Sequence, residues 1–248
     1  MSGRKTAVIT GASSGIGAAA ASSLAAAGFD LLLGARRVDR LESLASELSN
    51  TRFRKLDVTD AESVEAFGEA IERVDLVVNN AGGALGMDRV QDAQDDLWRT
   101  MWEVNFLGVV RVTRTLIPKL LASGDGHIIN IGSIAGFERY SGGAGYTGAK
   151  HAARALTKTL RLELLGQPVR VTEISPGLVE TEFSLVRFDQ DASKAEAVYK
   201  GMTPLSAADI ADCITWAATR PSHVNIDEIV VRPRDQAAAT LVHRKGDE

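Results

Sequence analysis

The sequence predicts a doubly wound α/β fold: one parallel sheet of about seven strands with helices on both faces. Two observations predict it. Short β-rich runs alternate with longer helical patterns through most of the 248 residues, the arrangement that builds a parallel sheet. Most of those runs are apolar throughout rather than alternating, as strands are when helices cover both faces.

The predicted strands are 6–10, 30–34, 52–56, 75–79, 127–131, 170–174 and 228–231. Between them the predicted helices are 16–27, 40–48, 62–73, 96–121, 145–164 and 207–219. No Pro/Ser-rich linker or shift in composition divides the chain, so residues 1–248 are read as a single domain. Segment 182–200 interrupts the alternation before the last helix and is read as an irregular substrate lid. The tail after Arg232 is polar and placed to reach a partner subunit.

Composition narrows the function classes. Hydrophobic residues make up 45% and charged residues 24%, enough to bury a core without metal or disulfide staples. The net charge of −4, with both signs mixed along the chain, argues against nucleic-acid and anionic-membrane binding. One cysteine, Cys213, excludes an internal disulfide and reads as a small apolar residue of a helix. The start at residues 1–5 lacks a signal-peptide core, and no apolar run approaches the roughly 18 residues of a membrane span. A cytoplasmic protein is expected. His127, His151, His223 and His243 show no paired ligand spacing, so no metal site is expected.

A nucleotide site is predicted at the end of the first strand. Gly11-Ala-Ser13-Ser14-Gly15-Ile16-Gly17 follows that strand at once and opens a helix. Glycines there permit a tight turn and a close backbone approach, and the helix N-terminus suits a pyrophosphate. The spacing is G-x-x-x-G-x-G rather than the G-x-G-x-x-G of most Rossmann-like sites. Sites selective for NAD place an acid near the end of the second strand. Here Ala35 is followed by Arg36 and Arg37, guanidinium groups suited to the 2′-phosphate of NADP. Asp57, after the third strand, is placed either to accept from the adenine amino group or to cap the next helix.

Tyr146 and Lys150 lie four residues apart at the start of a predicted helix, on one face. Ser133 ends the strand before it. A phenol is a poor base at its ordinary pKa of about 10. An ammonium about 4 Å away at an effective dielectric near 20 favours the phenolate by about 4 kcal/mol, roughly three pKa units. The Ser133 hydroxyl would then hold the substrate oxygen.

These motifs, with Asp57-Val58, Asn79-Asn80-Ala81-Gly82, Asn105 and Pro176-Gly177, resemble the short-chain dehydrogenase/reductase family over nearly the whole chain. The resemblance implies a Rossmann-like fold and an alcohol–carbonyl oxidoreductase. Tyr146 would be the general acid/base, Ser133 would orient substrate, and Lys150 would lower the Tyr pKa and bind the nicotinamide ribose. Asn105 would support a water-linked proton path. Turn 79–82, including Asn80, Ala81 and Gly82, would line the adenosine side. Pro176, Gly177, Val179 and Thr181 would hold the carboxamide.

The phrases Asn79-Asn-Ala-Gly-Gly-Ala-Leu-Gly86, Ile174-x-Pro-Gly-Leu-Val-Glu-Thr-Glu-Phe183 and His223-Val-Asn-Ile226 are similar to the NADP-dependent 3-hydroxy acid (serine-type) dehydrogenases of that family. That likeness implies a small β-hydroxy acid substrate and a homotetramer. Arg187 is the leading carboxylate anchor, with Arg139 and Tyr140 as second choices. Helices 96–121 and 145–164 are expected to form the subunit interface, since Val109, Val110, Val112, Leu156 and Leu160 put apolar residues on more than one face. The alternatives are a broad carbonyl reductase, a biosynthetic ketoreductase, and a non-catalytic NADP-binding regulator.

Overall fold

A computed structural model supplies the structure, which describes residues 3–246; residues 1 and 2 of the start segment read above lie outside it. The strands are β1 (Thr6–Thr10), β2 (Asp30–Ala35), β3 (Thr51–Lys55), β4 (Leu76–Asn79), β5 (Gly126–Ile131), β6 (Val169–Pro176) and β7 (Glu228–Val231). They form one parallel sheet in the order β3-β2-β1-β4-β5-β6-β7. Strand order reverses between β1 and β4, and ligands of such sheets bind beyond the strand C-termini at that switch point. The predicted Rossmann-like fold is therefore the observed one.

Helices cover both faces. On one, α1 (Gly15–Ala26) packs beside α9 (Ala207–Ala218) over Ile9, Leu31 and Ile174. The alanines of α1 let the two helices approach, and the Ser23 and Thr215 hydroxyls meet at 2.7 Å between them. Also on this face is α2 (Val38–Glu47), which inserts Leu41. The other face carries α3 (Ala61–Glu69), α5 (Gly108–Ser123) and α6 (Ala144–Glu163) over Val8, Val77 and Ile128.

Three expectations about elements are corrected. Predicted helix 96–121 is interrupted: α4 (Asp95–Trp102) meets a π turn, Glu103–Leu107, before α5. The reason is packing, because Gly108 fits so closely on Val58 that a Cβ would touch it, while Asn105 must turn inward. Predicted helix 62–73 ends at Glu69, since the chain must turn Ile71 and Val74 into the core before β4. Segment 182–200 is not irregular. It holds α7 (Phe183–Arg187) and α8 (Ala192–Tyr199), the second capped by Asp191 accepting from the Lys194 amide at 3.1 Å.

The polar tail after Arg232 is held against the chain's own body. It folds back on its own subunit: Arg232 pairs with Glu138, Gln236 is buried and accepts from the Leu178 amide at 2.9 Å, and Arg244 donates to the Val198 carbonyl. Of the residues expected at the subunit interface, Val109, Val112 and Leu160 are buried within the chain, while Val110 and Leu156 are partly buried. Cys213 lies half-buried on α9. Among the described residues no helix is long and apolar enough to cross a membrane, and none of the His, Cys, Asp and Glu side chains form a metal-binding group.

Candidate active site

The glycine turn is built by β1 and clamped by β4. Gly11 and Gly15 have φ of +67° and +53°, a region that favours glycine. A Cβ on Gly17 would collide with the Gly11 carbonyl and the Asn80 amide. The Thr10 hydroxyl accepts from the Asn80 and Ala81 amides, both at 3.0 Å, and Asn80 Nδ2 donates to the Thr10 carbonyl at 2.9 Å. No side chain caps the start of α1 at Ser14, and its first turn carries no acid. Amide groups and a positive dipole end are thus presented to an anion. Ile16 packs on the core below. Thr181 lies over Gly15, its Cβ 3.4 Å from where a glycine Cβ would stand, which brings the loop after β6 to the turn's mouth. In that loop the Gly177 amide donates to Val231 and the Val179 carbonyl accepts from Tyr199, anchoring Pro176 and its neighbours.

Arg37 lies across the same turn. Its Nη2 donates to Ser14 Oγ at 2.6 Å and its Nε to Ser13 Oγ at 3.2 Å. Arg36 faces Asp57 and helps hold that carboxyl low, although burial is the largest influence and pushes the other way; two hydrogen bonds from Thr59 tip the balance. Asp57 does not cap the next helix. Asp60 does, accepting from the Glu62 amide, while Asp57 Oδ1 fixes its own turn through Thr59. Val58 is buried beneath and its carbonyl accepts from Arg111.

Tyr146 and Lys150 start α6, and Ser133 ends the β5 loop beside them. All three come together. Tyr146 and Lys150 are buried, and Lys150 Nζ donates to the Ile131 carbonyl at 3.0 Å, 5.9 Å from the Tyr146 ring centre. The expected lowering of the phenol by Lys150 is not found. Burial pushes the Tyr146 pKa up, Tyr140 adds to this, and the Ser133 hydrogen bond and the Arg187 charge pull it partly back. The simple Coulomb argument left out desolvation, which here outweighs it. Burial also lowers Lys150 to about 8, against the opposing charge of buried Glu173. Asn105 sits nearby, but its amide is committed. Oδ1 accepts from the Gly83 amide, and Nδ2 donates to the Gly83 and Met101 carbonyls. Its side chain therefore fixes the loop after Gly82.

Above Tyr146 the structure places Arg187 and Phe183. The Phe183 ring meets Tyr146 edge-on at 5.7 Å. The guanidinium of Arg187 stands 5.8 Å from the Tyr146 ring centre and 5.4 Å from that of Tyr140. It donates to the Tyr140 hydroxyl at 3.0 Å and to the Gly86 carbonyl at 3.2 Å. Arg139, by contrast, is exposed and is not drawn into this group. Met101, Trp98 and Leu85 complete an apolar wall. The cavity enclosed there measures only about 10 Å³, the room of roughly one water. Sequence reasoning missed Glu182 and Arg40 beside Arg37, Trp98 and Met101 in the wall, and Glu173 behind Lys150. Apart from Arg40, three residues after Arg37, each comes from a segment distant in sequence from the residue it meets.

A glycine cradle, a guanidinium over it, and a buried phenol–ammonium–hydroxyl group define a nucleotide-linked oxidoreductase site. The short chain dehydrogenase profile matches residues 5–192, and the chain belongs to that family. It is 60% identical over 237 residues to an uncharacterized oxidoreductase of Mycobacterium tuberculosis, covering 96% of this chain and 94% of that one. It is 42% identical over 252 residues to the NADP-dependent 3-hydroxy acid dehydrogenase of Schizosaccharomyces pombe, covering 97% of each. The closed form of serine dehydrogenase complexed with NADP+ superposes with a TM-score of 0.92 at 38% identity, over 97% of this chain and all of that one.

Proposed function

We propose that this chain is an NADP(H)-dependent oxidoreductase interconverting a small 3-hydroxy acid and its 3-oxo acid. The observation that carries the substrate class is Arg187: a cation fixed by two hydrogen bonds beside the phenol. A small acid offers few atoms to grip, and a guanidinium edge suits its carboxylate. A hydroxyl one carbon beyond the carboxylate's neighbour can then reach Ser133 and Tyr146. The relatives named above support the cofactor and the substrate.

The cofactor fits the residues present. The open start of α1 and the cradle at Gly11 and Gly17 would hold the pyrophosphate, Arg36, Arg37 and Ser13 the 2′-phosphate, and Lys150 the nicotinamide ribose. When bound, the nicotinamide supplies the hydride donor or acceptor. Tyr146 supplies the proton to the carbonyl oxygen on reduction and takes it from the hydroxyl on oxidation. Its raised pKa keeps the phenol protonated and suits it to the acid role. The Arg187 charge and the Ser133 hydroxyl favour the phenolate required for the reverse. Ser133 orients the same oxygen. Segment 182–200, with Phe183 and Arg187 closed on Tyr146, acts as the lid. A cytoplasmic homotetramer belongs to the same reading, supported by Trp216 and Val230, which are half-exposed beside the β7 edge.

The test is Arg187→Ala. KM for a 3-hydroxy acid should rise at least tenfold, equal to about 1.4 kcal/mol, with little change for an uncharged alcohol. Equal effects on both substrates would remove Arg187 as the carboxylate reader.

A further inference from the structure

Arg37 has a third partner. Its Nη1 donates to Glu182 Oε2 at 2.9 Å, and Arg40 Nη1 donates to the other carboxylate oxygen at 2.6 Å. Glu182 reaches them from 145 positions further along the chain, and it immediately precedes α7. The two arginines hold its carboxyl below the usual carboxylate range, so it is charged at neutral pH. A carboxylate thus sits on the guanidinium that lies over Ser13 and Ser14.

We propose that Glu182 is an internal competitor for the cofactor's 2′-phosphate, holding Arg37 until the phosphate takes it and so tying α7 to the identity of the cofactor. The inference rests on the reading of Arg37 as a 2′-phosphate ligand. All three nitrogens of Arg37 are engaged. Of its five N–H donors three are used, and a phosphate arriving over Ser13 and Ser14 must share the guanidinium with these partners. The hydroxyls can turn to face the phosphate as donors. The carboxylate cannot, and two anions on one guanidinium repel each other. Glu182 is the partner that yields, and Arg40 leaves it a cation to stay with. NAD, which lacks the phosphate, leaves the pair untouched. The next residue is Phe183, packed on Tyr146, and Arg187 ends the same short helix over that ring. Release of Glu182 from Arg37 therefore changes what anchors α7 at its start.

Calorimetric titration with 2′,5′-ADP and with 5′-AMP tests this without turnover. Glu182→Gln should bind 2′,5′-ADP about two- to fivefold tighter, an effect sized to exposed ion pairs, with 5′-AMP unchanged. The gain should shrink as salt is raised. In the parent protein, amide exchange over residues 182–191 should respond to 2′,5′-ADP and not to 5′-AMP. Unchanged or weaker binding of 2′,5′-ADP by Glu182→Gln, with Arg37→Leu weakening it, overturns the competition alone. If Arg37→Leu leaves 2′,5′-ADP affinity intact, the phosphate reading falls and the proposal with it.

Discussion

Tyr146 is buried between Phe183, Ser133 and Arg187, and its phenol is the group there that exchanges a proton with the substrate oxygen. Tyr146→Phe keeps the ring packing and removes that proton. Turnover should fall beyond the 10²–10⁴-fold, roughly, that general acid–base catalysis contributes, because the hydroxyl also binds substrate. Titration with NADPH should give nearly the parent affinity, since the glycine cradle is untouched. Near-normal turnover would end this assignment. The sequence makes Tyr146, Lys150 and Ser133 legible because two of them share a helix turn and the third ends the strand before. It does not make the sign of the phenol's shift legible. That depends on burial by Phe183 and on Arg187, and spacing within one helix carries no information about either.

The β1–α1 turn shows how an element is specified by residues outside it. Gly17 sits in the first turn of α1, where alanine is ordinarily the better helix former. A Cβ there would strike the Gly11 carbonyl and the Asn80 side chain that clamps β1 to β4. Gly17→Ala must therefore move either the turn or the clamp. We expect nucleotide affinity to drop at least tenfold while the far-UV circular dichroism stays native. Parent-like affinity for 2′,5′-ADP would show that the cradle has slack. The turn itself is legible because its seven residues are contiguous and follow an apolar strand. The break of helix 96–121 is not, because no glycine or proline stands at Glu103–Leu107. Its cause is the contact of Gly108 with Val58 and the inward demand of Asn105, a matter of tertiary fit. Likewise α7 and α8 hide in the sequence because the link between them uses left-handed residues, Asp189 and Gln190 with φ of +51° and +66°, that are not glycine.

At the scale of the molecule, the sheet separates chemistry from support. The strand C-termini hold the cradle and the phenol, whereas the N-terminal ends of β1, β4, β5 and β6 gather Lys5, Asp75, Asp125, His127 and Arg170. The doubly wound parallel sheet was legible from the alternation of elements, but this polar cluster was not, because its members look like isolated charges until the strands align. His127 is the member with a pH consequence. It is buried, Nε2 lies 2.8 Å from the Thr172 hydroxyl, and Nδ1 has no partner. Burial, with the nearby Arg170 and Lys5 charges, lowers its pKa from 6.5 to about 3. The folded chain therefore holds a neutral imidazole where the unfolded chain takes up a proton near pH 6.5. Stability from this group is full above that pH and is lost as pH falls from 6.5 toward 3, because the unfolded state binds more protons there. Between pH 7 and pH 5 the loss amounts to about 2 kcal/mol, at most about 1.4 kcal/mol per pH unit. His127→Gln keeps a polar partner for Thr172 and removes the titration. Its unfolding free energy, from denaturant titration, should change less between those two pH values than the parent's, by about 2 kcal/mol. The carboxylates titrate in both proteins and cancel in the comparison. Parallel pH dependences in parent and variant would mean that His127 is protonated in the folded state after all.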